Sequence, residues 1–157
     1  MNIYKAVTIM LVEDDPGDQK LIKTSLNSQR ITNTPVVASS AEEALAYLEK
    51  GKTDGSISMP DLILLDLNMP GLGGREFLRL IKSDPQLETI PVVILTTSES
   101  DKDILESFRL QAAGYIKKPV ALADFQEIMQ TLSDYWFTVC KRITHEPNKQ
   151  DTKCFTC

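Results

Sequence analysis

The sequence predicts an α/β protein: a doubly wound, five-stranded parallel sheet with helices on both faces. Three observations carry that prediction. Short apolar runs alternate with amphipathic stretches five times along 157 residues, the pattern left by repeated strand–helix–strand crossovers. The runs are apolar at nearly every position, as strands buried on both faces must be. Most of them break off sharply at polar or charged residues, where the sheet edge meets solvent.

Val7-Thr8-Ile9-Met10-Leu11-Val12 is a β-favouring run that stops at Glu13-Asp14-Asp15-Pro16. From Gly17 to about Gln29, Leu21, Ile22 and Leu26 recur at helical spacing. Pro35-Val36-Val37-Ala38-Ser39 reads as the second strand. Ser40 then opens a helix, with Glu43 closing a capping box. That helix carries Ala41, Ala44, Leu45 and Leu48 on one face and ends near Gly51, where a polar loop runs to Pro60. Leu62-Ile63-Leu64-Leu65 is the third strand and terminates at Asp66. Beyond the turn Asn68-Met69-Pro70-Gly71-Leu72-Gly73-Gly74, a helix through Phe77, Leu78 and Ile81 reaches about Ser83. Pro91-Val92-Val93-Ile94-Leu95 is the fourth strand, ending in Thr96-Thr97-Ser98. A helix with Ile104, Leu105 and Phe108 follows and stops near Gly114. Tyr115-Ile116-Lys117 is a brief fifth strand closed by Lys118-Pro119, and the last helix runs from about Leu122 to Val139. Residues 1–143 read as one domain and 144–157 as a polar, disordered tail.

The composition, 42% hydrophobic and 25% charged, is that of a globular protein with a sizeable core. A net charge of -5 speaks against nucleic-acid binding, which rests on Lys and Arg. The sequence shows neither a signal peptide nor an apolar run near the roughly 20 residues a membrane span needs. The expected location is therefore cytoplasmic, with no membrane partner. Cys154 and Cys157 form a terminal C-x-x-C without further ligands, and His145 stands alone in the polar tail.

Binding sites of open parallel sheets lie beyond the carboxyl ends of the strands. Strand one delivers Asp14 and Asp15 there, strand three Asp66, strand four Thr96 and strand five Lys118. Carboxylates about 4 Å apart repel by roughly 4 kcal/mol per pair at an effective dielectric near 20. A fold tolerates such a group only with a compensating cation or a raised pKa. Lys118 supplies one charge, and a hard divalent ion with oxygen ligands, Mg2+, suits the rest. A carboxylate nucleophile, a metal, a lysine and a hydroxyl together equip a site for phosphoryl transfer.

Val12-Glu13-Asp14-Asp15, Leu65-Asp66-Leu67-Asn68-Met69-Pro70, Leu95-Thr96-Thr97 and Lys117-Lys118-Pro119 jointly resemble the receiver domain of two-component response regulators, over roughly residues 5 to 140. The resemblance implies a flavodoxin-like (CheY-like) sheet of strand order 2-1-3-4-5. It implies that Asp66 is the phosphoacceptor and that Lys118 pairs with the phosphoryl group. Asp15 would ligate Mg2+ directly, Asp14 directly or through water, and Asp66 and the backbone carbonyl of Asn68 would complete the protein ligands. Thr96 and Tyr115 would form the switch pair. Asn68 and Ser98 would tune dephosphorylation, and the Lys118–Pro119 bond would be cis. Beyond its own phosphoryl transfer and dephosphorylation, the chain is not expected to be an enzyme.

A receiver over residues 1–143 leaves no room for a DNA-binding output domain, so output is expected through protein contacts. The aromatic finish Tyr135-Trp136-Phe137-Thr138-Val139 and the loop from Gly51 to Pro60 resemble the small stand-alone regulators paired with bacterial phytochromes. The expected partners are a sensor histidine kinase and a second copy of the chain, docked on the face of helix four, strand five and helix five. A receiver-shaped binding module that works without phosphorylation is the alternative. A haloacid-dehalogenase-type phosphohydrolase would need Asp where the chain has Asn68.

Overall fold

Five parallel strands in the order β2-β1-β3-β4-β5 make up the sheet. They alternate along the chain with five helices in the computed structural model, which describes residues 8–27, 35–96, 101–118 and 122–133. In chain order these are β1 (Ile9–Val12), α1 (Pro16–Asn27), β2 (Val36–Ala38), α2 (Ala41–Gly51) and β3 (Leu62–Leu65). Then come α3 (Gly73–Lys82), β4 (Val92–Thr96), α4 (Asp101–Arg109), β5 (Gly114–Lys117) and α5 (Leu122–Ser133). The doubly wound fold and its strand order are as the sequence led one to expect.

Side chains alternate between the two faces along each strand, and both faces are apolar because both are covered. Met10, Val12, Ile63, Leu65, Val92 and Ile94 pack into one layer with Ala41, Ala44 and Leu48 of α2 and Phe77, Leu78 and Ile81 of α3. Ile9, Leu11, Leu62, Leu64, Val93 and Leu95 meet Ile22 and Leu26 of α1 on the other face, where α5 lies beside α1. Each of the Val, Leu, Ile, Met and Phe side chains contributes roughly 1.5–3 kcal/mol by leaving water.

Local signals set the helix starts. The side-chain oxygen of Ser40 accepts from Glu43 N at 3.0 Å. The Glu43 carboxylate in turn accepts from Ser39 N at 3.0 Å, one residue earlier than a standard capping box. In the loop after α2, Tyr47 donates its hydroxyl to Ser58 O at 2.8 Å, which ties that polar segment to the domain. No helix among the described residues is long and apolar enough to cross a membrane. Thr97, Ser98, Pro119, the run 135–139, Cys140, His145, Cys154 and Cys157 lie outside the described residues.

Candidate functional site

The strand register assembles the site. Val12 is the Cα partner of Leu65 and Leu65 that of Ile94, while Thr96 pairs with Lys117. The first residues past β1, β3 and β5 are therefore Glu13, Asp66 and Lys118. Backbone bonds carry the parallel pairing one step beyond the strands: Asp66 N donates to Val12 O at 3.0 Å and Glu13 N to Ala38 O at 3.0 Å. All three side chains are buried, with relative exposures of 1% for Glu13, 6% for Asp66 and 8% for Lys118.

Lys118 is the electrostatic centre. Its Nζ donates to Asp18 Oδ2 at 2.7 Å, to Glu13 Oε2 at 2.8 Å and to Asp66 Oδ2 at 3.4 Å. Burial alone would lower the lysine pKa, but the bonds to Asp18 and Glu13 and the charge of Asp66 outweigh it and hold the ammonium firmly protonated. Burial pushes the Glu13 carboxyl up to about 7, reinforced by the charge of Asp66 and opposed by the bond from Lys118.

The carboxylate oxygens of Glu13, Asp14 and Asp66 lie within 4.8 Å of one another. Three carboxylates in that space form an all-oxygen donor set, the kind a hard divalent cation takes. Of the acidic residues named from the sequence, Asp14 lies with Asp66 and Asp15 does not. Among the described residues, Asp15 groups instead with Glu13 and Asp18. The reason is local: α1 begins at Pro16, and Asp15 occupies the capping position before it. Its carbonyl accepts from Gln19 N at 2.9 Å and its carboxylate from Asp18 N at 3.3 Å. Proline suits the first helical position behind such a cap. The acidic residue that stands beside Asp14 and Asp66 is Glu13.

Asn68 donates its backbone N–H to Asp66 Oδ1 at 3.1 Å, orienting the carboxylate from the β3–α3 turn. Thr96 is the last residue of β4, opposite Lys117; its side chain lies outside the description. Tyr115 is half-buried opposite Ile94 and packs against the α2–α3 layer. Sequence reasoning missed two groups, Glu13 and Asp18. For Glu13 a signal existed: the rule that picks Asp66, first residue past an apolar strand, picks Glu13 after Val12. For Asp18 none did, because its meeting with Lys118 depends on how α1 docks.

The family described as the response regulator receiver domain matches residues 9–130. The response regulator Rcp1 of Synechocystis sp. is 36% identical over 128 residues, 82% of this chain and 87% of that protein. Among solved structures, the phosphorylated cyanobacterial phytochrome response regulator RcpA superposes with a TM-score of 0.81 at 38% identity, covering 88% of this chain and 99% of that one. The Mn2+-bound form of Rcp1 superposes at 0.78 with 33% identity, over 88% and 99% of the respective chains.

Proposed function

The chain belongs to the response regulator receiver family of phosphorelay signalling, and from that premise we propose that Asp66 accepts a phosphoryl group from a sensor histidine kinase. One observation carries the assignment. Asp66 is buried at the sheet edge, 3.4 Å from the Lys118 ammonium and inside the oxygen set of Glu13 and Asp14. An Asp66 oxygen attacks phosphorus as the phosphorus–nitrogen bond of the donor phosphohistidine breaks. The electron pair leaves with the imidazole nitrogen, which takes up a proton. Lys118 offers its protons to the phosphoryl oxygens, and Asn68 N–H holds the carboxylate in line.

Glu13, Asp14 and Asp66, with the Asn68 backbone carbonyl, would hold Mg2+. When bound, that ion relieves the carboxylate repulsion and stabilises charge on the transferring oxygens. Thr96 and Tyr115 act as the switch pair, carrying the phosphorylated state from the end of β4 to β5. Output passes through protein contacts in the cytoplasm, including a homodimer on the α4–β5–α5 face. There Leu105 and Phe108 are 53% and 50% exposed on α4. The kinase is of the phytochrome type, a reading supported by the phytochrome response regulator among the structural relatives.

Incubation with acetyl phosphate tests the site. Intact-mass spectrometry should show the chain gaining one phosphoryl group with Mg2+, none with EDTA, and none in Asp66→Asn. A chain that binds its kinase without ever taking up phosphate would instead be a phosphorylation-independent binding module.

A further inference from the structure

Lys118 is shared unequally among three carboxylates. Its Nζ stands 2.7 Å from Asp18 and 2.8 Å from Glu13, but 3.4 Å from Asp66. An ammonium has three protons to donate, and charge-assisted N–H···O bonds are strong near 2.7–2.9 Å. Two protons are thus committed to Glu13 and Asp18, and Asp66 is reached only by a long contact. The lysine side chain is 5% exposed, so water offers it little competition.

The three partners are not equivalent. Glu13 and Asp66 follow β1 and β3, strands held side by side by the register. Asp18 comes from the first turn of α1, and its side chain is 29% exposed. It belongs to the Glu13–Asp15–Asp18 group and not to the Glu13–Asp14–Asp66 group. A phosphoryl group on Asp66 brings roughly two negative charges and three strong acceptors towards the same ammonium. Its third proton can turn to one of them, but to meet the group with a second N–H Lys118 must give up a bond it already has. The bond to Asp18 is the one that leads away from Asp66 and its oxygen set.

We propose that Asp18 is a positioning residue that holds Lys118 back from Asp66, so that the Asp18–Lys118 ion pair must open for the phosphoryl group to draw the lysine into close contact through more than its one remaining N–H. The inference rests on the reading of Asp66 as phosphoacceptor. The pair opposes the phosphorylated state, and its opening releases a carboxylate at the start of α1.

The test is the beryllofluoride affinity of the full chain at saturating Mg2+, measured by isothermal titration calorimetry. Asp18→Asn preserves side-chain size but removes the ion pair, and affinity should rise about threefold to tenfold. Asp18→Ser is a second variant with the same expectation. Asp15→Asn takes a charge from the same acidic rim without a bond to Lys118, and Asn caps a helix as well as Asp does. It should change affinity by less than about twofold. A purely structural role for Asp18 would lower the melting temperature without tightening beryllofluoride. Unchanged or weaker binding in both Asp18 variants overturns the proposal, as does an equal gain in Asp15→Asn. Wild-type chain that binds no beryllofluoride removes the Asp66 reading itself, and this inference with it. Wild-type binding without an Asp18 effect removes this inference alone.

Discussion

Glu13 shows how a single position sets conditions for the whole site. An unfolded glutamate titrates near 4.5, whereas burial, then the charge of Asp66, hold the folded carboxyl at about 7 despite the bond from Lys118. Between those two values the folded chain binds a proton that the unfolded chain has lost. Stability from this group is therefore fully present below about pH 4.5 and lost as pH rises through about 7. Urea unfolding of metal-free protein should show this as a fall in stability between pH 5 and 7. Glu13→Gln, permanently neutral, should flatten that slope; an unchanged slope in the variant would show that some other group titrates there. Glu13 was hard to read because three acidic residues follow one another. Which of Glu13, Asp14 and Asp15 turns inward depends on where β1 ends, and a shift of one residue exchanges the faces.

The elements themselves were legible, and so was their order. Uniformly apolar runs such as Leu62–Leu65 and Val92–Leu95 declare a sheet covered on both sides, and Ser40 with Glu43 marks the start of α2. Contacts between elements distant in sequence were not legible. Asp18 and Lys118 are 100 residues apart, and nothing local to either foretells their bond. The docking of α3 is of the same kind. Gly74, the second residue of α3, lies so close to the preceding turn that a Cβ there would collide with Asp66 O and lie 2.6 Å from Leu67 Cα. These are backbone atoms, so they cannot swing aside as a side chain could. Gly74→Ala must push α3 away from the segment that carries Asp66, at a stability loss on the order of 2–4 kcal/mol. Denaturant unfolding and the rate of labelling by acetyl phosphate should both fall. A variant with wild-type stability and labelling would mean that the turn relaxes freely and does not fix Asp66.

Over the whole molecule, the acidic rim makes folding and cation binding one equilibrium. Among the described residues, Glu13, Asp18 and Asp66 share the Lys118 ammonium, with Asp14 beside Glu13 and Asp66, in a chain whose net charge is already -5. A divalent ion that binds only the folded chain stabilises it by about 2.7 kcal/mol at a hundredfold excess over Kd. For a domain of this size that corresponds to a rise of roughly 10 °C in melting temperature. Chelation with EDTA should reverse it. The two acidic groups make separate forecasts, because Glu13 is common to both while Asp14 groups with Asp66 and Asp15 with Asp18. Asp14→Asn should abolish most of the Mg2+-induced rise while leaving the metal-free protein as stable or stabler, since one repelling charge is gone. Asp15→Asn keeps the cap on α1 and should retain the rise nearly in full. If the two variants exchange behaviour in differential scanning calorimetry, the cation sits on the α1 side of Glu13, and Asp66 receives its phosphoryl group without a metal among its own neighbours.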